Sequence, residues 1–161
     1  MIKLIKYLYR LNTIVFILIG FSLEVTISII FGIILPAKYS KNPVIDSIAK
    51  DESTLFLFVF GCFIAPLFET FLFQYLPFQL IKIFSKHNKL KYRRILYLTL
   101  ASLAFGYMHY FNFFYFLAGC LVGFIFCFFF YLSKLRRQNG LILVTIIHSL
   151  NNFIALLGTL N

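Results

Sequence analysis

"TLFLFVFGCFIAPLFETFLFQYLPFQLI", residues 54–81, is the stretch that decides the fold of this chain. It is nearly all apolar and longer than the about twenty residues that an α-helix needs to cross the hydrocarbon core of a bilayer. Yet residues 65–77 within it carry one carboxylate, Glu69, and one side-chain amide, Gln74. An ionisable group at membrane depth is costly, and its presence indicates a function. The stretch therefore predicts a membrane span that contains part of a site.

The composition places the whole chain in a membrane. Of its 161 residues 61% are hydrophobic, and the mean hydropathy of +0.92 is far above that of a soluble domain. We therefore expect an integral membrane protein with a single domain, residues 1–161, whose first partner is the lipid bilayer. The net charge of +10 does not predict a nucleic-acid partner, because the basic residues lie in short clusters between apolar runs. The composition does not specify an oligomeric state.

Five apolar runs are long enough to be helical spans. The first is too long for a signal peptide and lacks a small-residue cleavage site, so we expect it to be retained. The chain is thus predicted to be all-α, a polytopic membrane bundle of about five transmembrane helices. The predicted spans are 12–35, 54–81, 95–112, 113–133 and 141–158.

The Lys and Arg residues between the spans predict the orientation of the bundle. Twelve fall on one side and three on the other, and basic connections remain in the cytoplasm. The count predicts a cytoplasmic N-terminus and an external C-terminus. The three basic residues on the minority side are Lys38, Lys41 and Lys50, and the other twelve are Lys3, Lys6, Arg10, Lys82, Lys86, Lys89, Lys91, Arg93, Arg94, Lys134, Arg136 and Arg137.

Few polar side chains lie within the predicted spans, and several of them share a depth. Counting about 1.5 Å per residue from the basic ends, Glu69, His109, His148 and Asn152 come to a broadly common layer. His148 and Asn152 are four residues apart and share a helix face. Glu24 is the outlying member, which we expect either to pair with a buried group such as His148 or to face a water-filled crevice. The other polar candidates are Gln74, Asn112 and Asn151.

These residue types supply the parts of a hydrolase that forms no covalent intermediate. A carboxylate in an apolar pocket is a usable general base for water, and an adjacent histidine can hold that water. A second histidine with a nearby asparagine can donate hydrogen bonds to the oxyanion formed on an amide carbonyl. A metal is the alternative, since Glu69, His109 and His148 match a catalytic zinc shell. However, HExxH is absent, so we predict no metal and no cofactor, with zinc as the alternative.

Three short motifs resemble those of the CPBP family, the CAAX proteases and bacteriocin-processing enzymes that are also called Abi proteins. The family's motifs are EExxxR, FxxxH and HxxxN on successive spans. Here they read "ETFLFQ" at 69–74, "FGYMH" at 105–109 and "HSLNN" at 148–152. The likeness covers residues 54–158, which we take as the catalytic core. Within it, Gly119 and Gly123 in "FLAGCLVGF" predict close helix packing.

The resemblance implies an intramembrane glutamate-dependent endopeptidase. It assigns water activation to Glu69 and His109, and the oxyanion hole to His148 and Asn152, with Phe105 in support. Thr70 and Gln74 stand where the family has Glu and Arg. Loss of one charge of each sign leaves the net charge of the site unchanged. We interpret ETxxxQ as a variant of the motif, in which Thr70 and Gln74 support the site by a mutual hydrogen bond.

The expected substrate is a membrane-associated peptide or protein. The bias toward Lys, Ile, Phe and Asn favours a bacterial plasma membrane, and with it bacteriocin processing or self-immunity. Two other functions compete with the protease. The first is a catalytically inactive immunity or scaffold protein of the same fold. The second is a small proton-coupled carrier with Glu24 and Glu69 as its titrating pair.

Overall fold

The computed structural model describes residues 2–36, 52–84 and 90–159, and these form helices without any strand. The predicted all-α membrane bundle is therefore confirmed. The six helices of the described residues are α1 (Ile2–Arg10), α2 (Thr13–Ile34), α3 (Thr54–Phe84), α4 (Leu90–Met108), α5 (Phe113–Leu135) and α6 (Gly140–Thr159).

The number of apolar spans is close to the predicted five. Four of the described helices, α2, α3, α5 and α6, are long and apolar enough to cross a membrane. Helix α4 forms where the third span was expected, but its first turns carry Lys91, Arg93 and Arg94, which shorten its apolar part. Helix α1 was not predicted. It is a short amphipathic helix, with Leu8 buried in the core while Tyr7 and Tyr9 are exposed.

Side-chain caps set where several helices begin. Asn12 and Ser53 accept hydrogen bonds from the backbone N–H groups three residues further on, which opens α2 and α3. Asn112 was predicted as a polar group inside a span, and this is corrected by the structure. Its side chain accepts a 2.9 Å hydrogen bond from the Tyr115 N–H, because α4 ends at Met108 and Asn112 is the N-cap of α5.

Arg136 joins α1 to the connection between α5 and α6. Its guanidinium donates hydrogen bonds to the carbonyls of Leu8, Tyr9 and Leu11 at 2.6, 3.1 and 2.8 Å. It also lies 4.5 Å over the ring of Phe16. These carbonyls are at the C-terminal end of α1, where the last C=O groups of a helix have no N–H donor within the helix. The N-terminal helix and the α5–α6 connection therefore lie at the same end of the bundle.

Helix α5 is the central element and packs against α2, α3, α4 and α6. Phe126, Phe129 and Phe130 are fully buried on it. Glycines bring α4 close to it: a Cβ added at Gly123 would lie 2.9 Å from Phe105 Cβ, and one added at Gly119 would lie 3.0 Å from the Gly106 Cα. The predicted packing role of Gly119 and Gly123 is confirmed. This contact positions the end of α4, which carries His109.

Candidate active site

Glu69 lies in an α-helical stretch, Ala65–Thr70, between two π-helical segments of α3. These segments are Leu57–Ile64 and Phe71–Tyr75. The wider turns of a π-helix shift the face on which side chains emerge, and such insertions are frequent at functional sites. The sequence offered one local reason for the irregularity in Pro66, which has no N–H to continue the hydrogen-bond ladder.

The carboxylate of Glu69 meets two histidines from two other helices. Its Oε2 lies 3.6 Å from Nε2 of His109, at the end of α4, and 3.8 Å from Nε2 of His148, on α6. The Glu69 Oε2 atom is buried and has no hydrogen-bond partner. Three of the four side chains that the sequence placed at a common depth therefore meet at one carboxylate oxygen.

The imidazole of His109 is held in one tautomer by its own helix. Its Nδ1 lies 2.8 Å from the carbonyl oxygen of Phe105, which accepts hydrogen bonds and cannot donate them. Nδ1 therefore carries the proton, and Nε2 of the neutral ring presents a lone pair toward Glu69. The ring of Phe105 stacks on the imidazole, with centroids 4.4 Å apart. Phe105 thus orients His109 through both its backbone and its side chain.

His148 lies deeper than His109. Its side chain is 7% exposed, against 29% for His109, and its ring packs 4.7 Å from the ring of Phe126. The Nδ1 atom of His148 is buried with no hydrogen-bond partner, while Nε2 faces Glu69. A buried polar atom without a partner is unusual in a native protein and calls for a specific explanation, such as a catalytic role or a bound water.

Asn152 lines the same space as His148, but one of its amide hydrogens is already engaged. Its Nδ2 donates a 2.8 Å hydrogen bond to the carbonyl oxygen of Gly61 on α3. That carbonyl lacks a helical donor because the Ala65 N–H bonds to Phe60, and Pro66, next in the π-helical pattern, has no N–H. Asn152 therefore ties α6 to α3, and its second amide hydrogen is left for the cavity.

Thr70 and Gln74 are both fully buried, but they do not bond to each other. No hydrogen bond joins the two side chains, so the predicted Thr70–Gln74 hydrogen bond is wrong. The helix becomes π-helical at Phe71, and in the wider turn residues four apart no longer stand directly above one another. Around Gln74, the Tyr97 hydroxyl donates to the Gln74 backbone carbonyl at 3.2 Å.

A cavity of about 480 Å³ is lined by Glu69, His109, His148 and Asn152, and also by residues that the motifs did not indicate. Glu24 lines it and is 1% exposed. Of the two expectations for Glu24, the pair with His148 is not formed, since no His, Lys or Arg nitrogen of the described residues lies within 4.0 Å of its carboxylate. Glu24 instead faces the cavity, as the second expectation had it. Ser28 and Tyr115 also line the cavity and were missed; for Ser28 the available signal was its spacing of four residues from Glu24.

The part of the chain that the structure describes contains no side chains arranged as a metal site. There, no group of three or more His, Cys, Asp or Glu side chains is arranged to hold a metal ion. The three residues of the zinc alternative converge, but their closest approaches are 3.6 and 3.8 Å between side-chain atoms.

One glutamate and two histidines from three helices share a cavity inside a membrane bundle. This arrangement places the protein in a class, the candidate membrane-embedded hydrolases. The family model described as type II CAAX prenyl endopeptidase Rce1-like matches residues 51–154, and the chain belongs to this family. The resemblance to CPBP proteases is thereby confirmed. No curated protein and no solved structure matches the chain significantly.

Proposed function

We propose that this protein is a membrane-embedded endopeptidase that hydrolyses a peptide bond in a membrane-associated peptide or protein. The observation that carries the proposal is the buried, unbonded Oε2 of Glu69, which faces Nε2 of both His109 and His148 in one cavity. Membership of a protease family supports the same reaction.

Water activation is assigned to Glu69 and His109. At a separation of 3.6 Å, the carboxylate oxygen and the imidazole nitrogen can both accept hydrogen bonds from one water molecule on the cavity side. Because Phe105 keeps the proton on Nδ1, Nε2 of neutral His109 acts as an acceptor. The water oxygen is then free to attack the carbonyl carbon of the peptide bond while Glu69 takes a proton.

The oxyanion is assigned to His148 and Asn152. With a proton on Nε2, His148 donates one hydrogen bond to the developing oxyanion, and the second amide hydrogen of Asn152 donates another. Collapse of the tetrahedral intermediate breaks the C–N bond, and Glu69 passes its proton to the leaving amine. The products are a carboxylic acid and an amine, with no covalent enzyme intermediate.

The proposed setting is a bacterial plasma membrane, with bacteriocin processing or self-immunity as the process served. The composition supports a bacterial source through its bias toward Lys, Ile, Phe and Asn. A site between helices within the bundle suits a substrate whose cleaved bond lies close to its membrane anchor.

The test is cleavage of membrane-anchored peptides by the purified protein in lipid nanodiscs, followed by mass spectrometry. Glu69→Gln keeps the shape of the side chain and removes the base, so we expect cleavage to fall at least about a hundredfold. Glu52→Gln, on an exposed residue, is the matched control and should cleave normally. Persistent cleavage by Glu69→Gln contradicts the proposal. Loss of wild-type activity in EDTA, restored by Zn²⁺, replaces the metal-free mechanism with the zinc alternative.

A non-catalytic immunity or scaffold protein is the second candidate, and one observation favours it. Asn152 already bonds to Gly61, which gives it a structural reason to be present without any chemistry. This candidate predicts that Glu69→Gln retains biological function in a cell protection assay. The carrier candidate is supported by Glu24 and Glu69 lining one cavity, and it predicts proton-coupled transport that requires both.

A further inference from the structure

Glu24 is a buried carboxylate that the proposed reaction does not use. It lies on α2, before the residues matched by the family model, and is 1% exposed. Its Oε2 atom has no hydrogen-bond partner. Burying a carboxylate within a membrane protein is costly unless the group is paired or serves a ligand. In the described residues no such pair is present, and this favours a ligand as the partner of Glu24.

The cavity that Glu24 lines has an unbalanced set of charges. It contains two carboxylates, those of Glu24 and Glu69, and no Lys or Arg side chain. Such a lining attracts a cation and repels an anion, and both effects are strengthened where water is excluded. Glu69 faces the two histidines, which leaves Glu24 as the carboxylate without a partner group.

Close packing holds Glu24 in place. One turn earlier on α2, a Cβ added at Gly20 would lie 2.6 Å from Cδ1 of Ile147, the residue next to His148. Helix α2 is therefore pressed against α6. Beyond Glu24, Ser28 and Gly32 follow at intervals of four residues and line the same cavity, and a Cβ added at Gly32 would meet no atom within 4 Å. This face of α2 therefore lines the cavity for two turns beyond Glu24 and leaves open space at Gly32.

We propose that Glu24 binds a positively charged group of the substrate, an ammonium or guanidinium on a lysine, an arginine or a peptide amino terminus. This inference rests on the proposed function, since it places that group in the same cavity as the bond that is cleaved. A charge-assisted hydrogen bond in a water-poor cavity supplies both binding energy and selectivity. The site thus selects cationic peptides and rejects those with a carboxylate at the same position.

The cleavage test compares three peptides that differ at one position, carrying lysine, norleucine or glutamate there, and the position is moved along the peptide. Norleucine keeps the length of the lysine stem and lacks the charge. We expect the wild-type protein to favour lysine over norleucine at least about tenfold in kcat/KM at one position, mainly through KM. In Glu24→Gln the ratio falls to about one, whereas Glu52→Gln keeps it.

A binding test separates failure of this inference from failure of the proposed function. In the Glu69→Gln background, Kd is measured for the lysine and norleucine peptides, with and without Glu24→Gln. If no variant cleaves any peptide but binding still favours lysine in a way that depends on Glu24, the protease proposal is rejected and the cation site is retained. If cleavage depends on Glu69 but kcat/KM is equal for both peptides, the cation site is rejected and the protease proposal is retained. Even if Glu24→Gln does not fold, equal kcat/KM for the lysine and norleucine peptides at every position in the wild-type protein overturns the inference.

Discussion

At the scale of the residue, the protonation pattern of His109 follows from a backbone carbonyl. The Phe105 oxygen occupies Nδ1, so the neutral ring offers only Nε2 to the cavity. The FxxxH spacing accounts for this arrangement, because residues four apart in a helix are stacked one above the other. Phe105 adds a stacked ring, which restricts rotation of the imidazole.

Phe105→Leu tests the role of that ring. Leucine retains most of the apolar volume but not the flat surface against His109, so kcat should fall on the order of tenfold while the stability changes by less than about 1.5 kcal/mol. Steady-state kinetics and thermal unfolding in the same detergent check both parts. Unchanged kcat with normal folding contradicts an orienting role for the ring.

The structural and chemical roles of Asn152 can be separated by combining its substitution with one at Pro66. Asn152→Ala removes the donor to the Gly61 carbonyl, and the free energy of unfolding should fall by about 1–3 kcal/mol. Pro66→Ala restores a backbone N–H near that carbonyl, so in the double variant part of the stability should return. If Asn152 also binds the oxyanion, activity stays low in the double variant; recovery of activity together with stability assigns it a structural role alone.

At the scale of the element, the connection between α5 and α6 is shaped by two adjacent arginines. Arg137 has a φ of 57°, and the Arg137 and Gln138 N–H groups bond to the Lys134 and Ser133 carbonyls, which closes α5 with a Schellman motif. Arg136, one residue earlier, reaches α1. Burial lowers the pKa of Arg136, but the guanidinium still carries its charge at neutral pH.

Arg136→Lys should release α1, because a single ammonium cannot reach three carbonyls as the forked guanidinium does. We expect a loss of about 2 kcal/mol in the free energy of unfolding and faster proteolysis of the N-terminal helix. Arg137→Gly should act in the opposite direction, by about 1 kcal/mol, since glycine adopts a positive φ at no steric cost. Equal effects of the two changes would show that charge at this connection matters and geometry does not.

The α4–α5 contact offers a test of how packing positions the site. A Cβ at Gly123 would lie 2.9 Å from Phe105 Cβ, so Gly123→Ala should move α4 and His109 and cost about 1–3 kcal/mol of stability together with activity. Gly158→Ala is the matched control, because nothing lies within 4 Å of a Cβ there. Circular dichroism melts and the cleavage assay provide the measurements. A Gly123→Ala protein as stable and active as Gly158→Ala contradicts this account.

At the scale of the whole molecule, the basic residues and the cavity lie toward opposite ends of the bundle. Lys82, Arg93, Arg94 and Lys134 line one groove, and Arg136 joins the α5–α6 connection to α1. The cavity takes its lining from the halves of α2, α5 and α6 that lie away from that end, for example Gly32, Tyr115 and Asn152. The orientation predicted from the basic residues, with this end in the cytoplasm, would place the cavity nearer the external face.

Labelling with a membrane-impermeant maleimide tests this orientation. Tyr110→Cys, on the exposed turn between α4 and α5, should react in intact cells, whereas Arg137→Cys should react only after permeabilisation. The parent chain, whose three native cysteines are buried or half-buried, gives the background. The opposite pattern of labelling reverses the orientation and gives the cavity a cytoplasmic opening.

Much of this arrangement was predictable from local patterns. Apolar length predicted the spans, because every backbone polar group in a bilayer must be satisfied within a helix. The four-residue spacing in FxxxH and HxxxN predicted which side chains share a helix face, as His109 and His148 illustrate. The boundary at Asn112 was not predictable from apolarity, since a cap depends on the path of the chain into the helix.

The sequence by itself determined that this chain is an all-α membrane bundle, and it indicated Glu69, His109 and His148 by their cost at membrane depth. Only the tertiary structure decided that these three converge within 4 Å and that Thr70 and Gln74 do not bond. It alone placed Glu24 in the same cavity and Asn152 against Gly61. The physical reason is that contacts between helices depend on rotation and close approach, which π-helical turns and glycines set and which spacing along one helix does not reveal.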